Sequence, residues 1–111
     1  MEVLFEARSP KALALRGLAV RRTRFVMRRI HWMVPRARVH LDDVNGPRGG
    51  VDKRCRIELR APAGGPVVVT SMATDWRRAL DAALARAVRA LMRWWQRRRT
   101  PVTSARLAPP R

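Results

Sequence analysis

Charge and hydrophobic period change together along this 111-residue chain, and that pairing limits its fold more than any single motif does. Residues 8–38 hold ten Lys/Arg and no acid, and residues 76–111 hold ten Arg against Asp81 alone. Both blocks carry apolar residues at helical spacing. Between them, residues 39–75 set five bases against five acids and alternate apolar with polar, the period of a half-buried strand. The first seven residues hold two Glu and no base, with Val3, Phe5 and Ala7 alternating. Two basic helices around a neutral set of strands is the arrangement these runs predict.

In detail, Ser9 is a good N-cap and Pro10 suits a first helical turn. Leu15, Leu18, Ala19, Val26, Ile30 and Met33 predict one helix reaching about Met33, stopped by Pro35. On its other side Arg21, Arg24 and Arg28 fall within about 60° of one another at 100° per residue. In the last block Thr74 is placed to cap, and Trp76, Leu80, Ala83, Leu84, Ala87, Val88 and Leu91 form an apolar face. Arg86, Arg89, Arg93 and Arg97 form an outer stripe about 80° wide, and the helix is expected to end near Arg99, before Thr100-Pro101. Residues 100–111 have no pattern and are expected to be a disordered basic tail after a single domain of residues 1–99.

The middle predicts strands at Arg36 to Val44, Lys53 to Ala61 and Val67 to Ala73, joined by turns at Asn45-Gly46-Pro47-Arg48-Gly49-Gly50 and Pro62-Ala63-Gly64-Gly65-Pro66. Ala37, Val39, Leu41, Cys55, Ile57 and Leu59 point inward; Arg38, His40, Arg54, Arg56, Glu58 and Arg60 point outward. The order is β-α-β-β-β-α, an α+β fold. One amphipathic helix cannot hide its apolar face alone, so both helices are expected on one side of a four-stranded mixed sheet, turning their Arg stripes outward together. The βαβ crossover makes the first two strands parallel, and the rest form an antiparallel meander.

The totals now matter. With 25 Lys+Arg against 8 Asp+Glu the net charge is +17, and 47% hydrophobic residues suffice for one modest core. Self-repulsion at that charge makes a polyanion the expected partner, nucleic acid first and an anionic membrane second. Stripes without interspersed Glu are unlike an ordinary solvated face, and the two together offer about six phosphate contacts with a steep salt dependence. Trp32, Trp94 and Trp95 close the two helices and can either plug the core edge or stack on bases. Phe5 is the sole strand aromatic, which argues against a sheet-face RNA reader.

Other chemistries lack their residues. Cys55 falls on an inward strand position and reads as a buried structural thiol in a reducing compartment. His31, His40 and Cys55 do not have metal-ligand spacing, and Asp42 and Asp43 are adjacent on a strand and face opposite ways. The Gly pairs lie in hairpins, not before a helix, so no phosphate loop is formed. No enzyme, cofactor or small-molecule substrate is expected. The opening Met1-Glu2-Val3-Leu4-Phe5-Glu6 does not look like a secretory signal, and no spanning segment is visible, so a cytoplasmic protein without a membrane partner is expected.

The run Val39-His40-Leu41-Asp42-Asp43-Val44-Asn45-Gly46-Pro47-Arg48-Gly49-Gly50-Val51-Asp52-Lys53-Arg54-Cys55-Arg56-Ile57, followed by Asp75-Trp76-Arg77-Arg78-Ala79-Leu80-Asp81-Ala82-Ala83, resembles the hibernation-promoting factor and ribosome-associated inhibitor family, the ribosomal subunit interface proteins. The likeness spans about residues 1–99, Ala14-Leu15-Arg16 to Arg24-Phe25 included. It implies a β-α-β-β-β-α fold similar to a double-stranded RNA-binding domain. It also implies binding to the small ribosomal subunit and its rRNA, in the channel where messenger RNA and the A- and P-site transfer RNAs lie, silencing idle ribosomes in stationary phase or stress. The family's basic helical surface maps onto Arg21, Arg24 and Arg28 and onto Arg86, Arg89, Arg93 and Arg97. Departures are Arg where many relatives use Lys, the Trp94-Trp95 pair, and a first helix without acids. The resemblance implies a short form without the dimerisation domain of long members, and a monomer. Two other readings stand beside it: a duplex-RNA or DNA-binding module working off the ribosome, and a membrane-surface protein through residues 8–34.

Overall fold

A computed structural model describes residues 1–44, 50–60 and 65–99. The tail from residue 100 and most of both hairpin turns lie outside the described residues. The elements run β1 (Glu2–Ala7), α1 (Pro10–Leu13), α2 (Arg16–Val26), a 3₁₀ turn at His31–Met33, β2 (Arg36–Asp43), β3 (Lys53–Arg60), β4 (Pro66–Ala73) and α3 (Trp76–Arg99). The α+β architecture matches the order read from the sequence. The sheet has strand order β1-β2-β3-β4, with β1 parallel to β2 and the other pairs antiparallel.

Register explains the core. Phe5, Val39, Ile57 and Val69 lie side by side across the four strands, and Ala7, Leu41, Cys55 and Ser71 form the next row. Because strand side chains alternate, these rows share one face, and Ala37, Val39, Leu41, Cys55, Ile57 and Leu59 are buried there as the pattern requires. Ala79, Leu80, Ala83, Leu84, Ala87 and Leu91 of α3 close over it. Helix α2 covers the β1 side and α3 covers β3 and β4, with the two helices in contact.

The first helix is not the continuous rod expected to Met33. Ser9 does cap, accepting a hydrogen bond from Ala12 N, but the chain breaks at Ala14–Leu15, where Leu15 N bonds to Ala12 O in a tighter turn. Two short segments then present buried Ala12 and Ala19. After Val26 the hydrogen bonds shorten to three-residue steps, Arg28 to Phe25, Ile30 to Met27 and Met33 to Ile30. Five arginines among residues 21–29 with no acid give that turn no favourable i,i+4 pair, so continuing the helix gains little there. The buried side of α2 uses Thr23 in place of the expected Leu15 and Leu18, which are half-buried. At the second helix Asp75, not Thr74, is the cap: its Oδ1 accepts from Arg78 N at 2.8 Å.

One knot fixes α3 to the sheet. Trp76 Nε1 donates to Asp42 O at 3.0 Å, and Lys53 Nζ sits 5.3 Å from the Trp76 ring centroid. The same ammonium reaches Asp43 at 2.9 Å and buried Asp52 at 3.1 Å, bonds that raise the Lys53 pKa above the ordinary lysine value. Gly50, at φ +91°, takes the left-handed backbone that the hairpin there demands and that side chains disfavour.

Candidate nucleic-acid interface

All seven arginines singled out from the sequence are exposed. Arg21 and Arg24 stand on α2, Arg28 in the turn that follows it, and Arg86, Arg89, Arg93 and Arg97 on α3. The two groups do not merge into one stripe. A seam runs between the helices: Arg22 binds Asp81 through Nε at 3.0 Å and Nη2 at 2.6 Å, and Trp32 meets Trp95 edge-on at 6.3 Å between ring centroids. At about 100° per residue, Arg24 lies nearly opposite Arg22 on α2, and Arg93 and Arg86 lie well round from Asp81 on α3.

The arginine groups therefore stand on the outer flanks of the helix pair. Arg24 and Arg28, with Met1 and His31, line a cavity of about 280 Å³ at the β1 side. Arg86 donates from Nη1 to Thr70 O at 2.8 Å, on strand β4 at the opposite edge of the sheet. The physical reason is that each stripe was placed opposite its own helix's apolar face. The flank that a helix gives to its neighbour is set by packing, which a single helical wheel does not contain.

Electrostatics separates these arginines from the rest. Seven of the eight Asp and Glu side chains have a Lys or Arg within 4.0 Å: Glu2 has Arg36, Asp42 has Arg54, Asp43 and Asp52 share Lys53, Glu58 has Arg38, Asp75 has Arg78 and Asp81 has Arg22; the eighth, Glu6, has His40 Nδ1 at 3.6 Å. Among the described residues, none of the seven candidate arginines is paired with an acid. Arg16, Arg29 and Arg77 are exposed and equally without a carboxylate, and they extend the basic surface beyond the residues that the two stripes marked. Such a surface can neutralise phosphates, but it holds no group to transfer one.

Phe25 and Trp32 escaped the sequence reading as a pair. Both rings are largely exposed, 62% and 66%, on the helical side of a protein whose other aromatics are at least partly covered. The available signal was that Phe25 falls out of phase with the buried stripe of α2. Cys55 is buried as expected, and burial together with the nearby Asp42 pushes its thiol up to about 12, far from a reactive value. No group of His, Cys, Asp and Glu among the described residues is placed to hold a metal ion, and none of their helices is long and apolar enough to cross a membrane.

The same fold occurs in two solved structures. The chain superposes on a ribosomal subunit interface protein from Coxiella burnetii with a TM-score of 0.65 and 14% sequence identity, over 86% of this chain and 99% of that one. It also superposes on the N-terminal domain of Thermus thermophilus Protein Y with a TM-score of 0.59 and 21% identity, over 81% of this chain and 96% of that one. No protein-family model matches the sequence, and no curated protein matches it significantly.

Proposed function

We propose that this protein is a ribosome-binding translation silencer of the hibernation-factor kind. It docks as a monomer through residues 1–99 in the messenger- and transfer-RNA channel of the small subunit, held by phosphate contacts from the two helical flanks. The observation that carries this reading is the charge division: the acids are taken up at the sheet, the α3 cap and the seam, and among the described residues Arg21, Arg24, Arg28, Arg86, Arg89, Arg93 and Arg97 have no carboxylate within 4.0 Å. The fold shared with a ribosomal subunit interface protein supports the choice of ribosome over other polyanions. The mechanism is steric occlusion in the cytoplasm, with Arg21, Arg24, Arg28, Arg86, Arg89, Arg93 and Arg97 as positioning contacts to rRNA and no catalytic group. Two flanks separated by a seam suit two phosphate runs on either side of a channel better than one duplex groove.

Cosedimentation tests it. The protein is expected to travel with purified 30S subunits at ~100 mM salt and to be released with a log–log salt slope of roughly −4 to −6. Excess duplex RNA is expected to compete poorly. Free migration at that salt, or equal competition by duplex RNA, rejects the ribosomal reading in favour of a general duplex-binding module.

A further inference from the structure

The turn after α2 holds a feature that phosphate binding does not use. Arg28 is fixed on both sides of its guanidinium: Nη1 donates to Phe25 O at 2.7 Å, and Cζ stands 4.1 Å from the Phe25 ring centroid. Arg28 is itself exposed, so the held plane can meet a flat partner as well as a phosphate. Phe25 beneath it is 62% exposed, an apolar surface left on the most basic side of the molecule. Four residues after Arg28, Trp32 presents an indole that is 66% exposed and braced by Trp95. Arg24, Arg28 and His31 line the adjacent cavity of about 280 Å³, near the lower limit for small-ligand sites.

We infer that the Phe25–Arg28 layer is a stacking site for an unpaired nucleotide, whose base lies against the guanidinium while Arg24 takes its phosphate, and that the exposed indole of Trp32 is a second such platform on the same side of the molecule. Unstacked bases pack on aromatic rings and on guanidinium planes alike, and such contacts tolerate any base because each has a π-face. Electrostatics selects the occupant. An apolar peptide side chain would suit the rings but not Arg24, Arg28, Arg21 and Arg29 around them, all without carboxylate partners among the described residues. A nucleotide meets both demands. The site thus adds a preference for single-stranded RNA to the sequence-independent affinity of the two flanks, and it rests on reading the helical side as an RNA surface.

The test uses the full chain with two probes, an oligouridylate of about 12 nucleotides and an RNA duplex of similar length, in fluorescence anisotropy titrations across salt. Phe25→Leu removes the ring under the guanidinium and leaves every charge in place. It is expected to weaken oligouridylate binding by about tenfold, leave duplex binding within about twofold, and leave the salt slope unchanged. Trp32→Leu, at the second platform, is expected to do the same and gives an independent reading should either variant fail to fold. Variants that bind oligouridylate within twofold of the parent, or that lose duplex and single strand equally, overturn the stacking site while the RNA-surface reading stands. A parent protein that binds neither probe overturns both.

Discussion

Arginine appears on both exposed faces of this molecule, yet the two faces treat it differently. On the outer face of the sheet, Arg36 meets Glu2, Arg38 meets Glu58 and Arg54 meets Asp42, while His40 stands between Glu6 and Asp42. Arg56 and Arg60, which have no carboxylate within 4.0 Å among the described residues, sit in register beside these pairs. Strand alternation brings a base on one strand across from an acid on the next, so the field closes on itself within a few ångströms. On the helical side, Asp75 is spent on a cap with Arg78 and Asp81 on the seam with Arg22. The same side chain mostly stands against a carboxylate on one face and mostly without one on the other. Its neighbours, not its identity, decide which.

The most forceful way to break this comparison is to neutralise each face in turn. Replacing Arg21, Arg24, Arg89 and Arg93 by Gln is expected to weaken 30S binding by at least about a hundredfold at ~100 mM salt and to flatten the salt slope by about 3. The matched sheet variant, Arg36, Arg38, Arg56 and Arg60 to Gln, removes as much formal charge and is expected to change affinity less than about threefold. Equal losses in the two variants would mean that net charge alone attracts the partner, and the division between faces would carry no functional meaning. Surface positions of this kind are expected to leave the thermal midpoint nearly unchanged, which circular dichroism checks.

Between the faces lies a core with its own titration, separable from the arginines. The Cys55 thiol is pushed up to about 12 from an ordinary 9.0, chiefly by burial. Above pH 9 the unfolded chain gives up that proton and the folded chain keeps it, so the unfolded state binds fewer protons and stability falls as pH rises. The expected loss is about 1 kcal/mol between pH 9 and pH 10, read from urea midpoints. Cys55→Ala is expected to flatten the slope in that window, whatever its starting stability. Lys53, also raised by Asp43 and Asp52, adds a loss only at higher pH. A wild-type slope that persists in the variant would place the titrating group elsewhere.

Much of this was legible in the sequence, and the parts that were not share a cause. Alternation named the inward residues of β2 and β3 correctly because a strand's two faces are fixed by backbone geometry alone. The apolar face of α3 was equally readable, since a regular helix carries its period through many turns. The break at Ala14–Leu15 was not, because neither residue is a proline or glycine, and the two segments that flank it both pack on β1, a long-range contact that no local pattern contains. Capping by Asp75 and not Thr74 turns on one residue of register, below what pattern can resolve. The candidate arginines were found individually, but their division into two flanks depends on how α2 and α3 meet. Arg22 with Asp81 and Trp32 with Trp95 are contacts between residues about sixty positions apart, and no local rule pairs them.

That seam gives the finest test of the comparison, because there the helical side imitates the sheet by pairing a base on one element with an acid on the next. Asp81 withholds Arg22 from solvent anions as Glu58 withholds Arg38 on the other face. Both members of the Arg22–Asp81 pair are more than two-fifths exposed, so the bridge contributes little to stability, within about 1 kcal/mol. Asp81→Asn keeps the side-chain shape, removes the charge and leaves Arg22 free. If unpaired arginine is what the partner reads, affinity for 30S subunits is expected to rise about two- to threefold, with a salt slope steeper by less than about 1. Glu58→Gln frees Arg38 by the same chemistry on the sheet face and is expected to leave affinity and slope unchanged. A gain from both variants, or from neither, would erase the distinction between the faces. A gain from Asp81→Asn alone would show that one carboxylate, placed between two helices, tunes how tightly this surface holds RNA.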